Sequence, residues 1–265
     1  DCYTLNFKLR TGLRVLFQLK EFQARTPDDL YDQLYQIPWQ EIFPSTGYLS
    51  VTSFVLNDYI KNTQFANLKA KDAIVDRIAE RKGRRPDSGA DRSQSVVFLY
   101  WKDNEAAIFL DTSGEPLAKR GYRKIPGTAP MQETLAAAVL MATGWDPETP
   151  FVNPMCGSGT LGIEAALMAL NKAPGLLRSN FGYMHCLHFD RRKYQEIRRK
   201  LRTAVKQTTE TEIILSDIDR RAVNAAGLNA QTAGVDGFLK ISKCDFSKTR
   251  IPDGEGAVLM NPPYG

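Results

Sequence analysis

Phe151-Val152-Asn153-Pro154-Met155-Cys156-Gly157-Ser158-Gly159-Thr160-Leu161-Gly162, running on as Ile163-Glu164-Ala165-Ala166-Leu167, is the stretch on which the fold turns. A short apolar run enters a glycine-rich turn, and the turn opens a helix-forming segment. That is the strand–loop–helix start of an α/β nucleotide-binding unit. Gly157 and Gly159 permit dihedrals and a close backbone approach that a side chain would block. Gly157, Gly159 and Gly162 satisfy G-x-G-x-x-G by count, a weak signal alone. No lysine follows them, which argues against a phosphate-cradling P-loop and nucleoside triphosphate binding.

The segments on either side alternate in the manner of a parallel sheet with right-handed crossovers. Pro150 to Asn153, Ile213 to Leu215, Leu239 to Ile241 and Ala257 to Met260 read as strands. Helices are expected from Gln132 to Thr143, from the glycine turn to about Asn171, from Asp190 to about Lys206 and from Arg221 to Thr232. Residues 172–189 read as an irregular excursion.

Upstream the order changes to a mixed α+β module ending near residue 118. Strands are expected at 13–19, Tyr48 to Leu56, Ser95 to Trp101 and Ala106 to Thr112, the last two joined as a hairpin by residues 102–105. Thr26 reads as the cap of a helix opening at Pro27-Asp28-Asp29. Ala66 to Lys82 is strongly helical, with Ala70, Ile74 and Ile78 as its inward stripe. Between the modules, residues 119–127 are rich in Lys, Arg, Gly and Pro and read as a basic linker.

Composition bounds the partners. The chain has 265 residues, 43% apolar and 25% charged, which suits one or two globular domains. No apolar run approaches a membrane span and no signal sequence opens the chain. It begins with Asp and stops after Pro-Pro-Tyr-Gly, so it reads as a piece of a longer protein. Net charge is +5 with a pI near 9.0, compatible with a polyanionic partner. Cys2, Cys156, Cys186 and Cys244 with two histidines give no metal-ligand spacing; reduced cytosolic thiols and no structural metal are expected.

The chemistry is carried by the strand ends, where an open α/β sheet binds its ligands. A dinucleotide enzyme places its ribose-binding acid about 20 residues past the glycines. Here the acid is Asp217, some 60 residues on, which argues against NAD and leaves room for another adenosine-bearing cofactor. Asn153–Gly159, Asp217–Asp219, Asp245-Phe246 and Asn261-Pro262-Pro263-Tyr264 should converge. The last run is the most informative. An exocyclic amine is a poor nucleophile because its lone pair is delocalised into the ring. Acceptors aimed at its N–H bonds, the Asn261 side-chain oxygen and the Pro262 carbonyl, would free that pair. The prolines stiffen the loop, and Tyr264 offers a ring on which an extruded base stacks.

Taken together, Asn153-Pro154-x-Cys156-Gly157-Ser158-Gly159-Thr160, Ser216-Asp217-Ile218-Asp219 and Asn261-Pro262-Pro263-Tyr264 resemble the motifs of class I S-adenosylmethionine-dependent amino-methyltransferases. Arg120-Gly121-Tyr122-Arg123 and Gln132 to Ala138 narrow the resemblance to THUMP-domain RNA guanine-N2 methyltransferases, nearest those acting on bacterial large-subunit ribosomal RNA. The likeness runs from about residue 10 to 265. It implies an α/β class I (Rossmann-like) methyltransferase domain over 131–265, cut short on its C-terminal side. A basic linker (119–130), a THUMP RNA-binding domain (21–118) and the remnant of a ferredoxin-like piece (1–20) would precede it.

Carried over by residue, the resemblance gives Asn153, Pro154, Cys156, Gly157 and Gly159 the methionine and ribose part of S-adenosylmethionine. It gives Asp217 the ribose hydroxyls, Ile218 an adenine face, Asp245 the adenine amino group with Phe246 beside it, and Asn261, Pro262 and Tyr264 the target guanine. It implies RNA as partner, no metal, and a cytoplasmic protein. Asn153 departs from the family's usual Asp.

Plainer readings exist for each residue. Asp219 is the better placed cap for the helix after Asp217, Asp245 suits a solvated loop, and Cys156, lacking a nearby base, suits packing. The basic runs at 190–206 (eight Lys/Arg, two acids) and 61–92 (nine, five) read first as solvated helix faces. A transfer-RNA methyltransferase, a DNA adenine-N6 methyltransferase and a catalytically silent RNA-binding piece are the alternatives.

Overall fold

Each of two compact units has its own sheet and its own hydrophobic core. The computed structural model describes residues 1–126 and 130–262. The first unit comprises residues 1–2, 14–116 and 180–193; the second comprises 3–13, 117–179 and 194–265.

In chain order the elements are α1 (Cys2–Lys8), β1 (Leu16–Gln23), α2 (Pro27–Tyr35), α3 (Trp39–Ile42), β2 (Tyr48–Leu56), α4 (Thr63–Lys82), β3 (Asp87–Ser88), β4 (Ser95–Lys102) and β5 (Glu105–Asp111). They continue with α5 (Glu133–Ala142), β6 (Phe151–Asn153), α6 (Thr160–Ala169), α7 (Arg191–Thr203), β7 (Ile213–Asp217), α8 (Arg220–Ala233), β8 (Leu239–Lys243) and β9 (Ala257–Val258). Residues 172–189, expected as irregular, contain two short 3-10 turns.

The first unit is a sheet in the order β1-β5-β4-β2-β3, with β2–β4 and β2–β3 parallel and the other pairs antiparallel. Thr26 caps α2 as the sequence predicts. Its hydroxyl accepts from the Asp29 amide while Asp29 reaches back to the cap, a reciprocal box that satisfies two end donors. Ala70, Ile74 and Ile78 of α4 are fully buried against the sheet. The first strand is displaced from expectation, covering 16–23 rather than 13–19. It is an edge strand with mostly exposed side chains, so pairing with β5 and not apolar burial sets its limits.

The second unit is a parallel sheet in the order β8-β7-β6-β9. The order reverses at β6: the chain moves outward to β7 and β8, then returns to β9 on the other side. A reversal of this kind opens a crevice at the strand C-terminal ends. Buried against this sheet, α6 is apolar on nearly its whole circumference, as befits a central helix.

Within the expected basic linker, Arg120 and Tyr122 turn inward while Lys119 and Lys124 stay exposed. Arg120 and Tyr122 are almost fully buried beneath α6, facing the equally buried Glu164. Arg120 donates to the backbone carbonyls of Leu9, Arg10 and Leu117, and Arg10 donates to those of Leu167 and Lys172. These bonds draw residues 3–13 into the second unit. Burial raises the Glu164 carboxyl above its ordinary value, with Arg120 and Arg10 pulling the other way.

Candidate functional site

The glycine turn follows β6, and each of its three glycines has a distinct physical requirement. Gly157 lies at φ +53 with nothing near the position a Cβ would take, so it needs the left-handed backbone and leaves open space beside it. Gly159, at φ +85, would bring a Cβ to 2.9 Å from the Ala226 Cβ of α8. Gly162 would drive one to 2.4 Å from the Leu215 side chain of β7. The last two glycines therefore let α6 and α8 sit close to one another and to the sheet.

Hydrogen bonds hold the turn in shape. The Cys156 amide donates to the Ser216 carbonyl at 2.9 Å, and the Gly159 amide to the Cys156 carbonyl at 2.8 Å. The Asp217 carboxylate accepts from the Gly157 amide (2.9 Å) on one oxygen and the Asp219 amide (3.0 Å) on the other. The second motif thus shapes the first. Each oxygen keeps a lone pair, and the residue is partly exposed, so the carboxylate remains able to bind hydroxyls. Asp219 is the N-cap of α8, accepting from the Arg221 amide, as its position predicts.

On the neighbouring strand, Asp245 follows β8 and is bonded to the Ser247 amide (2.9 Å) and hydroxyl (2.7 Å). The Ser247 hydroxyl, with its amide, holds the Asp245 carboxyl below its usual range. Ile218 and Phe246, the residues after these two acids, are 67% and 54% exposed. Both are large apolar side chains left in solvent at the ends of adjacent strands.

On the opposite side, Leu259 donates its amide to the Val152 carbonyl (3.0 Å), and the Asn153 side-chain nitrogen donates to the Leu259 carbonyl (2.8 Å). These bonds set the exit of β9, beyond which the chain continues to Asn261 and Pro262. The Asn153 side-chain oxygen is buried with no partner among the described residues. It leaves an acceptor at the root of the turn. Tyr264, expected in this site, lies outside the described residues.

Cys156 is buried, and burial followed by the nearby Asp217 charge pushes its thiol up to about 12. It packs and cannot serve as a thiolate at neutral pH. Among the described residues no group of His, Cys, Asp and Glu is placed to hold a metal, and no helix is long and apolar enough to cross a membrane.

The structure adds residues that the motifs did not single out. Asn229 of α8 is fully buried. Its oxygen accepts from the Lys124 and Ile125 amides (2.8 and 3.1 Å), and its nitrogen donates to the Ile125 and Ser158 carbonyls (both 3.0 Å). All four valences of the amide are used to clamp residues 124–125 to the glycine turn. The available signal was its four-residue spacing from the buried Ala225, which places an amide on an apolar helix face. Arg123 pairs with Glu133 at 3.1 Å and donates to the Thr160 hydroxyl at 3.1 Å, fixing the first turn of α6. A separate polar hollow of about 450 Å³ in the first unit is lined by Ser50, Thr52, Gln64, Asn67 and Arg92. It has no paired titratable groups, so the strand-end crevice is the stronger candidate for chemistry.

Comparison with known proteins agrees with this geometry. Residues 120–265 match the family described as RMKL-like, methyltransferase domain, and residues 24–111 match the THUMP domain. The chain is 42% identical over 264 residues to the ribosomal RNA large subunit methyltransferase K/L of Psychromonas ingrahamii, covering 97% of this chain and 35% of that protein. It thus spans about a third of that relative's length. Among solved structures, it resembles a predicted N6-adenine-specific DNA methylase from Listeria monocytogenes (TM-score 0.88, 32% identity, 100% of this chain and 69% of the other). It also resembles SMU.472, a putative methyltransferase complexed with SAH (TM-score 0.86, 28% identity, 99% and 70%).

Proposed function

The chain belongs to the family of RMKL-like methyltransferase domains, with a THUMP domain ahead of it, and from that premise we propose that it methylates the exocyclic N2 amine of a guanine in large-subunit ribosomal RNA. The observation that carries the proposal is a convergence. Asp217 bonds to the glycine turn, and Asn153 ties the exit of β9, with Asn261 and Pro262, to the other side of the same strand ends.

The residues present fit S-adenosylmethionine. Open space beside the Gly157 backbone, a half-satisfied Asp217 carboxylate, exposed Ile218 and Phe246, and an unpartnered buried oxygen on Asn153 match its ribose, adenine and amino-acid groups. When bound, it supplies an electrophilic methyl group on a sulfonium. Asp217 would hold the ribose hydroxyls, Ile218 and Phe246 the adenine faces, Asp245 the adenine amino group, and Asn153, Pro154, Cys156, Gly157 and Gly159 the remainder.

Asn261 and Pro262 would act on the other reactant. Two carbonyl-type oxygens accepting from the guanine amine draw its nitrogen toward a tetrahedral geometry and direct its lone pair outward. The same acceptors stabilise the positive charge that develops on nitrogen, a term that grows from ground state to transition state. Tyr264 would stack the extruded base. The remainder of the rate comes from alignment. RNA as partner follows from the THUMP domain, and a cytoplasmic site of action from an RNA substrate of this kind.

The test offers the protein labelled S-adenosylmethionine with unmodified ribosomal RNA or transfer RNA, then digests the products to nucleosides. Label in N2-methylguanosine from ribosomal RNA is expected. Label from transfer RNA alone would replace the substrate, and label in N6-methyladenosine, the position named for the Listeria neighbour, would replace the target amine.

A further inference from the structure

Two helices, α4 and α7, hold five and seven cations, and they dispose of them differently. In α4, four of the five cations have carboxylate partners: Lys69 with Asp28 (2.9 Å), Lys71 with Asp72 (2.7 Å), and Arg77 and Arg81 with Glu80 (2.7 and 3.4 Å). Lys69 and Arg77 also lie over the rings of Tyr31 and Tyr35. In α7 there are seven cations and one acid, Glu196, which pairs with Lys200 at 2.7 Å.

Arg198, Arg199 and Arg202 form a tight group on α7. Positions 198 and 202 are one helical turn apart, 199 and 202 slightly less, so their Cβ atoms are neighbours about 5–6 Å apart. Arg199 and Arg202 are exposed; Arg198 is half-buried, and its Nε is enclosed without a partner, which leaves the guanidinium tip as its contact point. Like charges at this spacing weaken a helix, so helix stability does not explain the cluster. Nor does the helix present a free apolar face for a lipid surface. Tyr194 is buried and stacked on Phe7 at 5.5 Å, and Ile197 and Leu201 on the same face are partly buried.

We propose that Arg198, Arg199 and Arg202 of α7 form a contact surface for the RNA phosphate backbone, in addition to the THUMP domain. This rests on the RNA reading above. Planar guanidinium forks match phosphate oxygens, and contacts of this kind position an RNA without reading its sequence.

The test compares the wild-type protein with Arg198→Ala/Arg199→Ala/Arg202→Ala and with the charge-preserving Arg→Lys triple, measuring RNA affinity against salt, S-adenosylmethionine affinity and methyl transfer. In the Ala triple, the expected result is about 10- to 100-fold weaker RNA binding near physiological salt. Its log–log salt slope should also be shallower by about two, with cofactor affinity and kcat at saturating RNA within about twofold. The Lys triple should recover most of the affinity. Wild-type methyl transfer to RNA together with unchanged affinity and slope in the Ala triple overturns this inference and leaves the function standing. A Lys triple as weak as the Ala triple assigns the arginines a packing role and overturns it too. Binding to anionic vesicles that the Ala triple abolishes, with RNA binding intact, moves the surface to membranes. A wild-type protein that neither binds nor methylates RNA overturns both readings.

Discussion

The two ends of the strand-end crevice are built by different means. At β7 and β8 the backbone is fixed by side chains bonding back to it, Asp217 to Gly157 and Asp219, Asn229 to Ser158 and Asp245 to Ser247, and the Ser216 and Thr249 hydroxyls bond to each other at 2.6 Å. At β9 the chain leaves the sheet after two residues of strand, guided by Asn153 and the Leu259 amide. The first end is a preformed cradle; the second is an exit whose direction one amide helps to set. Binding of cofactor and turnover of the amine should therefore be separable by mutation.

The largest expected effect tests the foundation of the preformed end. Glu164→Leu leaves Arg120 and Arg10 buried without the anion between them, costing about 3–5 kcal/mol. The denaturation midpoint measures this, and a loss under 1 kcal/mol would show that the arginines are satisfied by their backbone carbonyls alone. Glu164→Gln adds a pH test. The folded-state carboxyl is raised, so the folded protein holds this proton more tightly than the unfolded chain. Wild-type stability relative to Glu164→Gln should fall as pH rises from about 4.5 toward the folded value, then level off. A gap that widened in the wild type's favour over that range would contradict the raised value.

Asn261→Ala attacks the other end. It should lower kcat by about 10²–10³-fold, the loss typical of removing one group matched to transition-state charge. Calorimetric affinity for S-adenosylmethionine should stay within about twofold. Comparable loss of both would mean that the two ends are one structure.

Smaller effects sharpen the contrast. Asp217→Ala removes a charged acceptor of two backbone amides and, on the proposed function, of the ribose hydroxyls. Cofactor affinity should fall by about 1.5–3 kcal/mol, with the fold retained. Asn153→Ala should cost about 1 kcal/mol, seen in kcat more than in cofactor affinity, because the bond lost is the one to Leu259. If cofactor affinity suffers more, the unpartnered Asn153 oxygen faces the cofactor and its amide tether is secondary.

The sequence by itself determined most of the second unit. The alternation of apolar runs with helices, the glycine turn and the acids at strand ends follow from short-range physics: side-chain periodicity, glycine dihedrals and helix capping. Thr26 and Asp219 cap the helices where local hydrogen-bonding rules put them. Tertiary structure decided what depends on partners distant in the chain. The limits of β1 come from its pairing with β5. The basic look of residues 119–126 concealed Arg120, which is buried against Glu164, 44 positions later, and against the carbonyls of Leu9, Arg10 and Leu117. Asn229 became a clamp because folding brought Ser158 and residues 124–125 to one amide. Both basic runs read from the sequence as solvated helix faces. In the first of them, Lys69 meets Asp28, and Lys69 and Arg77 meet the rings of Tyr31 and Tyr35, only because folding brings α2 beside α4.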